Sequence, residues 1–419
     1  MMGEESVADI RSFRGLRYHL PGLADLIAPP YDVITPQDRE ALCGRSPYNV
    51  VHVELPQEGD DGYREAAETL AAWLARGVLQ REEGDALYLY DLEFQHQGRA
   101  CRRRSLFCRL RLEPWDRGLV LPHEATLAAP KEDRLRLLRA TRTQISPIFA
   151  LYRNHTGQVA SALSRAIWED LASFSDHEGR RHTLHRLADP EAQEAIAAAF
   201  APETLYSADG HHRYETALAY REERRAQVKV WRGEEPENFV LAALTAASDP
   251  GLVVLPIHRL SRQPLPLDWR AKLAPHFHIW TMPGELDGLL EAMSSHAGPC
   301  YGLLERGGMY LLNAAERAGL EALLPSGCPA VWRRLEVALL QYAVLEGLLG
   351  IAGEALDYTE DARRAWGEVT QGAFAGAFLL RPTTAEDVFA VAEAGARMPP
   401  KSTFFYPKLP TGLVLNGLE

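Results

Sequence analysis

Cysteine and surplus positive charge are both scarce in this sequence. Five cysteines occur among 419 residues, an odd number without a CxxC pair, so no disulfide framework is indicated and a reducing cytoplasm is the expected location. Lysine and arginine number 45 against 57 aspartates and glutamates, which gives a formal net charge of −12. Proteins that bind nucleic acid need surplus cations to neutralise phosphates, so we expect no nucleic-acid partner.

Long hydrophobic runs are missing as well. The most apolar stretch, residues 239–257, is interrupted by Asp249, Pro250 and Gly251, and it falls short of the ~20 apolar residues that a membrane helix needs. The N-terminus carries acidic residues where a signal peptide would need a basic start and an apolar run. We therefore expect no membrane partner.

Several frequent catalytic motifs do not occur. The sequence has no GxxxxGKS/T loop, no GxGxxG after a predicted strand, no HExxH and no GxSxG. Mononucleotide-loop ATPases, Rossmann dehydrogenases, zincins and serine hydrolases therefore lose support, because each class depends on the chemistry that its motif supplies.

The remaining composition is that of a folded protein. Hydrophobic residues make up 46% and charged residues 24%, and the length suggests about two or three domains. We predict a mixed α+β fold in four segments. These are an N-terminal α/β region (1–115), a core (116–261), a small α+β domain (262–350) and a C-terminal segment that packs back toward the core (351–419).

Local patterns predict several elements. Apolar residues recur at helical spacing over residues 61–77 and 157–174, which predicts two amphipathic helices. Residues 87–94 and 105–112, joined through a glycine-containing turn, predict a β-hairpin. Residues 48–53 predict a strand whose polar side chains alternate onto one side.

The most concentrated chemical signal is the pentapeptide Asp209-Gly-His-His-Arg213, between an extended segment and a predicted helix. Gly210 permits a sharp turn, and a helix N-terminus offers N–H groups and partial positive charge to a phosphate. Arg213 can clamp phosphate with two hydrogen bonds, and His211 and His212 can donate to its oxygens. Asp209 can take a proton from a hydroxyl or face a metal ion. The alternative is a helix-capping aspartate followed by solvated histidines.

A second polar cluster follows an apolar stretch that ends at residue 121. His123, Glu124 and Thr126 are placed to project from a strand end into a cleft. Lys131 and Arg134 are three residues apart, so they share one face of a predicted helix and can meet an anion. The alternative is an ordinary solvated loop and helix start.

Three histidines, His123, His211 and His212, also suggest zinc. Adjacent residues on a helix diverge by about 100°, so His211 and His212 do not readily bind one ion. We therefore do not favour a zinc site.

Two of these segments together resemble a known family. The Pro-His-Glu segment at residues 122–124, followed by the Asp-Gly-His-His-Arg box, is similar to the free-serine kinases of the ParB/sulfiredoxin-like superfamily. The chain also resembles a widespread uncharacterised family of bacteria and archaea. Its landmarks cover most of the sequence: PPYDVI (29–34), YNVV (48–51), HExT (123–126), PKxDR (130–134), SPIF (146–149), ADGHHRYETAL (208–218), PxHR (256–259) and MPxKSTxFYPKL (398–409).

The resemblance implies a ParB/sulfiredoxin-like core, elaborated by an N-terminal β-hairpin and helix region and by a smaller C-terminal α+β domain. It implies two catalytic carboxylates, Asp209 and Glu124. The residues expected to bind phosphate are Gly210, His211, His212 and Arg213, with Lys131 and Arg134 as further cations; those expected to contact the substrate are His123, Thr126 and Lys401; and Asp209 is expected to face the metal ion.

We therefore predict a small-molecule kinase that phosphorylates the hydroxyl of free L-serine, with pyrophosphate or an adenine nucleotide as donor and Mg²⁺ as cofactor. Sulfiredoxin chemistry is not expected, because His211 stands where that chemistry needs a cysteine. The alternatives are a hydrolase that transfers the phosphoryl group to water and a regulatory protein that binds a phosphoryl ligand without turnover. The expected partners are small molecules, and homo-oligomer formation is left open.

Overall fold

The computed structural model of the protein describes residues 7–57, 59–124 and 128–419. They form two units. Residues 7–122, 128–252 and 407–419 make up the first unit, and residues 253–406 together with residues 123 and 124 make up the second. Each unit has its own sheet and its own hydrophobic core, which confirms the predicted mixed α+β class.

The first unit begins with short strands and helices and continues into long strands. Its strands are β1 (Ile10–Arg11), β2 (Leu16–Tyr18), β3 (Leu79–Arg81), β4 (Leu87–His96), β5 (Arg99–Arg111), β6 (Val120–Pro122), β7 (Thr143–Gln144), β8 (Ile148–Tyr152), β9 (Glu169–Ser175), β10 (Arg181–Leu187), β11 (Leu205–Asp209) and β12 (Phe239–Ala246). Its helices are α1 (Leu23–Leu26), α2 (Pro36–Arg45), α3 (Val51–Glu54), α4 (Asp60–Ala75), α5 (Ala128–Thr141), α6 (Gln158–Arg165), α7 (Pro190–Phe200) and α8 (His211–Gln227).

A mixed sheet organises this unit. Among the described residues nine strands form it, in the order β6-β11-β8-β12-β5-β4-β10-β9, with β1 paired to β5. β6 and β11 are parallel, as are β8 and β12, whereas the other neighbours are antiparallel. β4 and β5 are the predicted hairpin. Its turn has positive φ at both Gln97 (48°) and Gly98 (74°), as a two-residue turn matched to strand twist requires.

The two faces of the sheet carry different residues. Leu89 and Leu106 belong to the main core, which also contains Tyr214 of α8. Because side chains alternate along a strand, Leu92 and Arg103 of the same two strands lie on the opposite face, where they are directly opposite each other in the ladder. This second face positions the site described below.

The second unit is built on an antiparallel sheet, in the order β15-β17-β16-β19-β14-β18. Its strands are β13 (Val253–Leu255), β14 (His258–Ser261), β15 (Phe277–Met282), β16 (Cys300–Glu305), β17 (Gly308–Ala314), β18 (Leu356–Thr359), β19 (Gly376–Leu379) and β20 (Phe404–Tyr406), of which β13 pairs with β20. Its helices are α9 (Trp269–Leu273), α10 (Leu286–Ser295), α11 (Arg317–Glu321), α12 (Ala330–Arg333), α13 (Glu336–Ala338), a π-helix (Leu339–Leu348), α14 (Ala362–Gln371) and α15 (Ala385–Glu393). The chain then returns to the first unit, where β21 (Asn416–Gly417) pairs with β7.

The two units divide the chain differently from the four predicted segments. β4 and β5, which precede residue 115, pair with β10 and β12, which follow it. In the second unit, β19 follows residue 350 but pairs with β16. Hydrogen bonding between distant strands therefore crosses two of the three predicted boundaries, those at residues 115 and 350.

Two predicted elements are wrong. The predicted helix at 157–174 ends at Arg165, and the chain continues as β9, whose backbone pairs with β10. Ile167, which helical spacing puts on the apolar stripe, is 90% exposed. The predicted strand at 48–53 is instead the helix α3. Its start is set by the buried Asn49, whose Oδ1 accepts from the N–H of Val51 over 2.9 Å.

Among the described helices, none has both the length and the apolar character that crossing a membrane takes.

Asn49→Ala should destabilise the first unit. The Asn49 amide also donates to the carbonyl oxygens of Asp25 (2.7 Å) and Ile27 (3.0 Å), and truncation leaves these buried groups unpaired. We expect the free energy of unfolding to fall by roughly 1–3 kcal/mol, measured by chemical denaturation. Gln80→Ala is the control, since this exposed amide makes one long hydrogen bond of 3.4 Å. Equal effects of both substitutions would contradict the prediction.

Candidate functional site

The predicted pentapeptide lies where a central strand turns into a helix. β11 ends at Asp209, between β6 and β8, and α8 begins at His211. Gly210 joins them with φ 86° and ψ 28°, a left-handed conformation that glycine adopts readily. Asp209 therefore stands at a strand end, next to the first-turn N–H groups of α8 that lack partners within the helix.

Two cations neutralise Asp209. Lys408 Nζ donates to its Oδ2 over 2.7 Å, and Arg213 Nη2 lies 3.5 Å from its Oδ1. Burial raises the pKa of Asp209, but the charges of Lys408 and Arg213 outweigh burial and hold this pKa well below its ordinary value. Burial likewise lowers the pKa of Lys408, but the attraction of Asp209 raises it overall. Both groups are therefore ionised at neutral pH.

Arg213 folds back over the turn at Gly210. A Cβ atom added to Gly210 would lie 3.0 Å from Arg213 Cζ, so glycine leaves the space that the guanidinium occupies. Arg213 Nη1 also donates to the carbonyl oxygen of Pro147. Arg213 thus connects the strand end, the turn and the loop before β8. Its predicted contact with phosphate stays a prediction.

A cavity of about 250 Å³ lies within the first unit, beside Lys408. Its walls come from six parts of the chain: residues 24–28, the PPYDVI landmark (29–34), α2, Leu92 of β4, the β9–β10 hairpin and the C-terminal residues 408–410. Lys408 both lines the cavity and contacts Asp209, so it connects the cavity to the pentapeptide. The PPYDVI landmark thereby acquires a position at a candidate ligand site.

One wall of the cavity is a chain of hydrogen bonds. Tyr90 Oη and His182 Nδ1 are 2.7 Å apart, and His182 Nε2 is 3.0 Å from Asp176 Oδ2. Arg180 Nε donates to the same carboxylate oxygen over 2.6 Å. Burial lowers the pKa of His182, although Asp176 acts to raise it. These bonds hold the polar side chains of the wall in defined orientations.

A much smaller cavity, of about 50 Å³, is lined in part by Arg213, Glu54, Arg134 and Ser146. Arg134 Nη1 donates to the Glu54 carbonyl oxygen over 2.7 Å, and Ser146 Oγ donates to Glu54 Oε1 over 2.7 Å. Burial raises the pKa of Glu54, although Arg134 acts to lower it. This volume suits one or two water molecules rather than a ligand, so Arg134 belongs to a packed polar cluster.

The other predicted phosphate-binding residues lie on α5 and α8. His211 is buried and His212 is half-buried, both in the first turn of α8 next to Asp209. Lys131 Nζ, on α5, pairs with Glu215 Oε2 of α8 across 2.9 Å. The structure therefore brings the histidines to the strand end and gives Lys131 a partner one turn along the helix.

Residues His123 and Glu124 form a separate cluster in the second unit. Glu124 Oε1 accepts from the Ser402 N–H over 2.9 Å and lies 3.4 Å from Thr403 Oγ1. His123, which is fully buried, has its Nε2 2.9 Å from the same hydroxyl. Two landmarks that are distant in sequence, HExT and MPxKSTxFYPKL, therefore meet at this carboxylate.

The PxHR landmark joins this cluster. Arg259 is fully buried, and its Nη1 donates to the Ile257 carbonyl oxygen over 2.5 Å while Nη2 donates to that of Pro400 over 3.4 Å. Burial lowers the pKa of Arg259 to about 10, with Glu124 acting in the opposite direction. Lys401, predicted to contact the substrate, is an exposed residue of the second unit with φ of 58°.

Lys408 is the functional candidate that sequence analysis missed. It is one of two lysines in the MPxKSTxFYPKL landmark, and the other, Lys401, was predicted to contact the substrate. A usable signal existed, because Lys408 lies in an apolar stretch between Pro407 and Pro410, and a lysine buried in such a stretch needs an anionic partner.

The predicted metal site does not fit the structure of the first unit. Within residues 7–57, 59–124 and 128–419, no three His, Cys, Asp or Glu side chains are grouped so as to hold a metal ion. The charged side chains that contact Asp209 are cations, which disfavours a resident Mg²⁺ at this carboxylate. Thr126, the remaining predicted substrate residue, lies outside the described residues.

Comparisons with known proteins identify a family. The model of the DUF1015 family, described as a protein of unknown function, matches residues 10–338, and no curated protein matches the sequence. This match confirms the resemblance to an uncharacterised family.

Several solved structures are similar at low identity. A conserved hypothetical protein from Pyrococcus furiosus is 12% identical with a TM-score of 0.34, over 73% of this chain and 93% of that chain. A free serine kinase in complex with AMP is 13% identical with a TM-score of 0.35, over 74% and 92%. SbnI with a C-terminal truncation, from Staphylococcus aureus, is 11% identical with a TM-score of 0.35, over 72% and 85%.

Removal of the Lys408 charge should destabilise the first unit strongly. Lys408→Met leaves Arg213, 3.5 Å away, as the remaining cation beside the largely buried Asp209 carboxylate. Breaking a buried pair on one side typically costs about 3–5 kcal/mol. Asp209→Asn combined with Lys408→Met should cost less than the sum of the two single substitutions, because no unpaired charge remains at the pair. Chemical denaturation at pH 7 measures these values, with the exposed Lys401→Met as control.

The pH dependence has a defined sign. Folding lowers the pKa of Asp209 from its ordinary 3.8, so its contribution is present above that value and is lost as pH falls through the folded pKa. Folding raises the pKa of Lys408 from 10.5, so its contribution is present below that value and is lost as pH rises. The difference between wild type and Lys408→Met should therefore be greatest between these limits. A difference that does not change with pH would argue against the ion pair.

Proposed function

This chain belongs to the DUF1015 family of proteins of unknown function, and we propose that it is a phosphotransferase that moves a phosphoryl group from pyrophosphate or an adenine nucleotide to the hydroxyl of free L-serine. One observation carries the proposal. A largely buried carboxylate, Asp209, whose side chain is 16% exposed, is kept ionised at a strand end, directly beside a helix N-terminus and a lysine that lines a cavity. Phosphoryl transfer depends mainly on such positioning and charge.

The proposed binding site for the phosphoryl group is the N-terminus of α8. This helix has 17 residues, and its first N–H groups carry the partial positive charge that stabilises a phosphate. Lys408 and Arg213 add two cations within bonding distance of Asp209. Positive charge from both sources therefore converges where the transferred group would sit.

Asp209 acts by orienting the acceptor. A carboxylate whose pKa is held this low is a weak base, so strong proton abstraction is not its role. A loose transition state requires little deprotonation before the transfer. In this proposal the serine oxygen bonds to phosphorus as the bond to the leaving phosphate breaks. The hydroxyl proton, aligned by Asp209, ends on the released phosphate.

Glu124 enters the proposal through the resemblance to the free-serine kinases. Its carboxylate is held by the Ser402 N–H and the Thr403 hydroxyl, so its position is defined before any ligand binds. Asp209 and Glu124 belong to different units. Mg²⁺ is proposed to accompany the phosphates of the donor, in keeping with its usual binding mode.

The first test is the reaction itself. The protein, incubated with L-serine, Mg²⁺ and either pyrophosphate or ATP or ADP, should form O-phosphoserine, detected by mass spectrometry. Omission of serine, of donor or of Mg²⁺ gives the controls. Donor hydrolysis that is independent of serine would instead identify a hydrolase. Tight donor binding without any product would identify a phosphoryl-ligand-binding regulatory protein.

The second test addresses the carboxylates. Glu124→Gln and Asp209→Asn keep shape while removing charge, and each should lower turnover by about 10²-fold or more through loss of acceptor orientation. The double variant should be scarcely slower than the worse single variant, because groups that act together are not additive. Glu285→Gln, an exposed change in the second unit, is the control. Near-normal turnover of Glu124→Gln would remove Glu124 from the reaction.

A further inference from the structure

Arg103 is a buried cation without a hydrogen-bond partner. The residue is 1% exposed, and none of its three guanidinium nitrogens has a partner among the described residues. Its guanidinium stacks over the Phe149 ring at 5.3 Å. Its strand neighbours Arg102 and Arg104 both bind Asp91, at 2.5 and 2.9 Å.

This arrangement is unusual because buried charges are normally paired. Burial lowers the pKa of Arg103 to about 10, although Tyr90, Asp249 and Asp209 act to raise it. The side chain is therefore still a cation at neutral pH. Within the described part of the chain, the five donor N–H groups of this guanidinium are left without acceptors.

Arg103 lies one strand beyond the lining of the cavity of about 250 Å³, as the ladder partner of the lining residue Leu92. It stands directly opposite Leu92 of β4, and Leu92 stands opposite His182 of β10. Residues opposite one another in an antiparallel ladder have side chains on the same face, and both Leu92 and His182 line the cavity. Arg103 is therefore the next side chain in the row that begins with the lining residues His182 and Leu92.

Arg103 is also close to the catalytic carboxylate of the proposed function. Its charge interacts with that of Asp209, and Phe149, on which it stacks, is the ladder partner of Asp209. An acid whose carboxylate binds Arg103 would thus have its other end near Asp209. In the proposed function, the phosphoryl group binds separately, at the N-terminus of α8.

The size of the cavity indicates which ligand enters it. Pockets for larger ligands typically measure about 300–1,000 Å³, and this cavity, of about 250 Å³, is smaller. It suits a molecule of amino-acid size rather than a complete nucleotide. A planar guanidinium with free N–H groups matches the two oxygens of a carboxylate.

We propose that Arg103 binds the carboxylate of the acceptor, so that the acceptor class is a small hydroxy acid held by its carboxylate in this cavity. The inference rests on the proposed function for the identification of the ligand as acceptor. It assigns Arg103 as a substrate-binding residue, in addition to the predicted pentapeptide.

Calorimetric titration of wild type and Arg103→Met tests the assignment. The probes are L-serine, L-threonine and D-glycerate, with ethanolamine as the analogue of serine without a carboxylate and pyrophosphate as the donor probe. Arg103→Met should weaken binding of the acids by about tenfold or more, the loss expected for a charge-assisted pair, and leave pyrophosphate binding unchanged. Ethanolamine should bind wild type and variant equally weakly.

A matched variant controls for general effects on the strand. Arg109→Met replaces a half-buried arginine on the same strand and face as Arg103. Arg109 has a protein acceptor, because its Nη2 donates to the Ser12 carbonyl oxygen over 3.1 Å. The Arg109→Met substitution should therefore leave binding of the acids unchanged. Thermal unfolding checks that Arg103→Met folds, which is expected because replacing a buried unpaired charge by an apolar side chain is often neutral or stabilising. Arg103→Lys, which keeps the charge, provides a second variant.

The outcomes separate the assignments. Unchanged acid binding in Arg103→Met and Arg103→Lys, or no binding of any of the three acids to wild type, would overturn the proposal. Loss of pyrophosphate binding with acid binding intact would assign Arg103 to the donor phosphate and also overturn it. Titration requires no turnover, so acid binding through Arg103 without phosphoserine formation would refute the proposed function alone.

Discussion

The buried ion pair between Lys408 and Asp209 connects the features on which the first unit depends. The two residues are 199 positions apart in sequence, and neither charge would be stable in its buried position without the other. The pair keeps the carboxylate at the end of β11 ionised and attaches the C-terminal segment to the central sheet. It also brings an ammonium group to the wall of the cavity, so that the charge of the cavity wall and the stability of the fold depend on the same contact.

Around this pair, cations are distributed over three distinct positions. Arg213 folds over the Gly210 turn and contacts Asp209, Arg134 lies in a packed polar cluster with Glu54, and Arg103 lies beside the cavity without a hydrogen-bond partner. The first two have protein acceptors that hold them in place. Arg103 has none among the described residues, and this difference is the basis of its proposed role in binding a carboxylate.

In the second unit, three sequence landmarks converge on one carboxylate. Glu124 receives hydrogen bonds from Ser402 and Thr403, and Arg259 contributes its charge nearby. Sequence analysis identified each landmark separately and selected Glu124 from the resemblance. The contacts that orient the carboxylate could not be predicted, because they join segments almost 280 residues apart.

The sequence by itself determined the features that depend on neighbouring residues. The strand, glycine turn and helix around Asp209 and the hairpin of β4 and β5 follow from local spacing and turn chemistry, and both were predicted correctly. The tertiary structure alone decided the rest. Residues 169–175 form a strand because their backbone pairs with β10. A helix begins beside the buried Asn49, where alternation predicted a strand. The lysine that pairs with Asp209 is Lys408, whereas the sequence-based prediction had named Lys401 as a site residue. In each case contacts made by the folded chain outweighed a local preference: β10 is itself held by β4, Asn49 also bonds to Asp25 and Ile27, and Lys408 is 199 positions from Asp209.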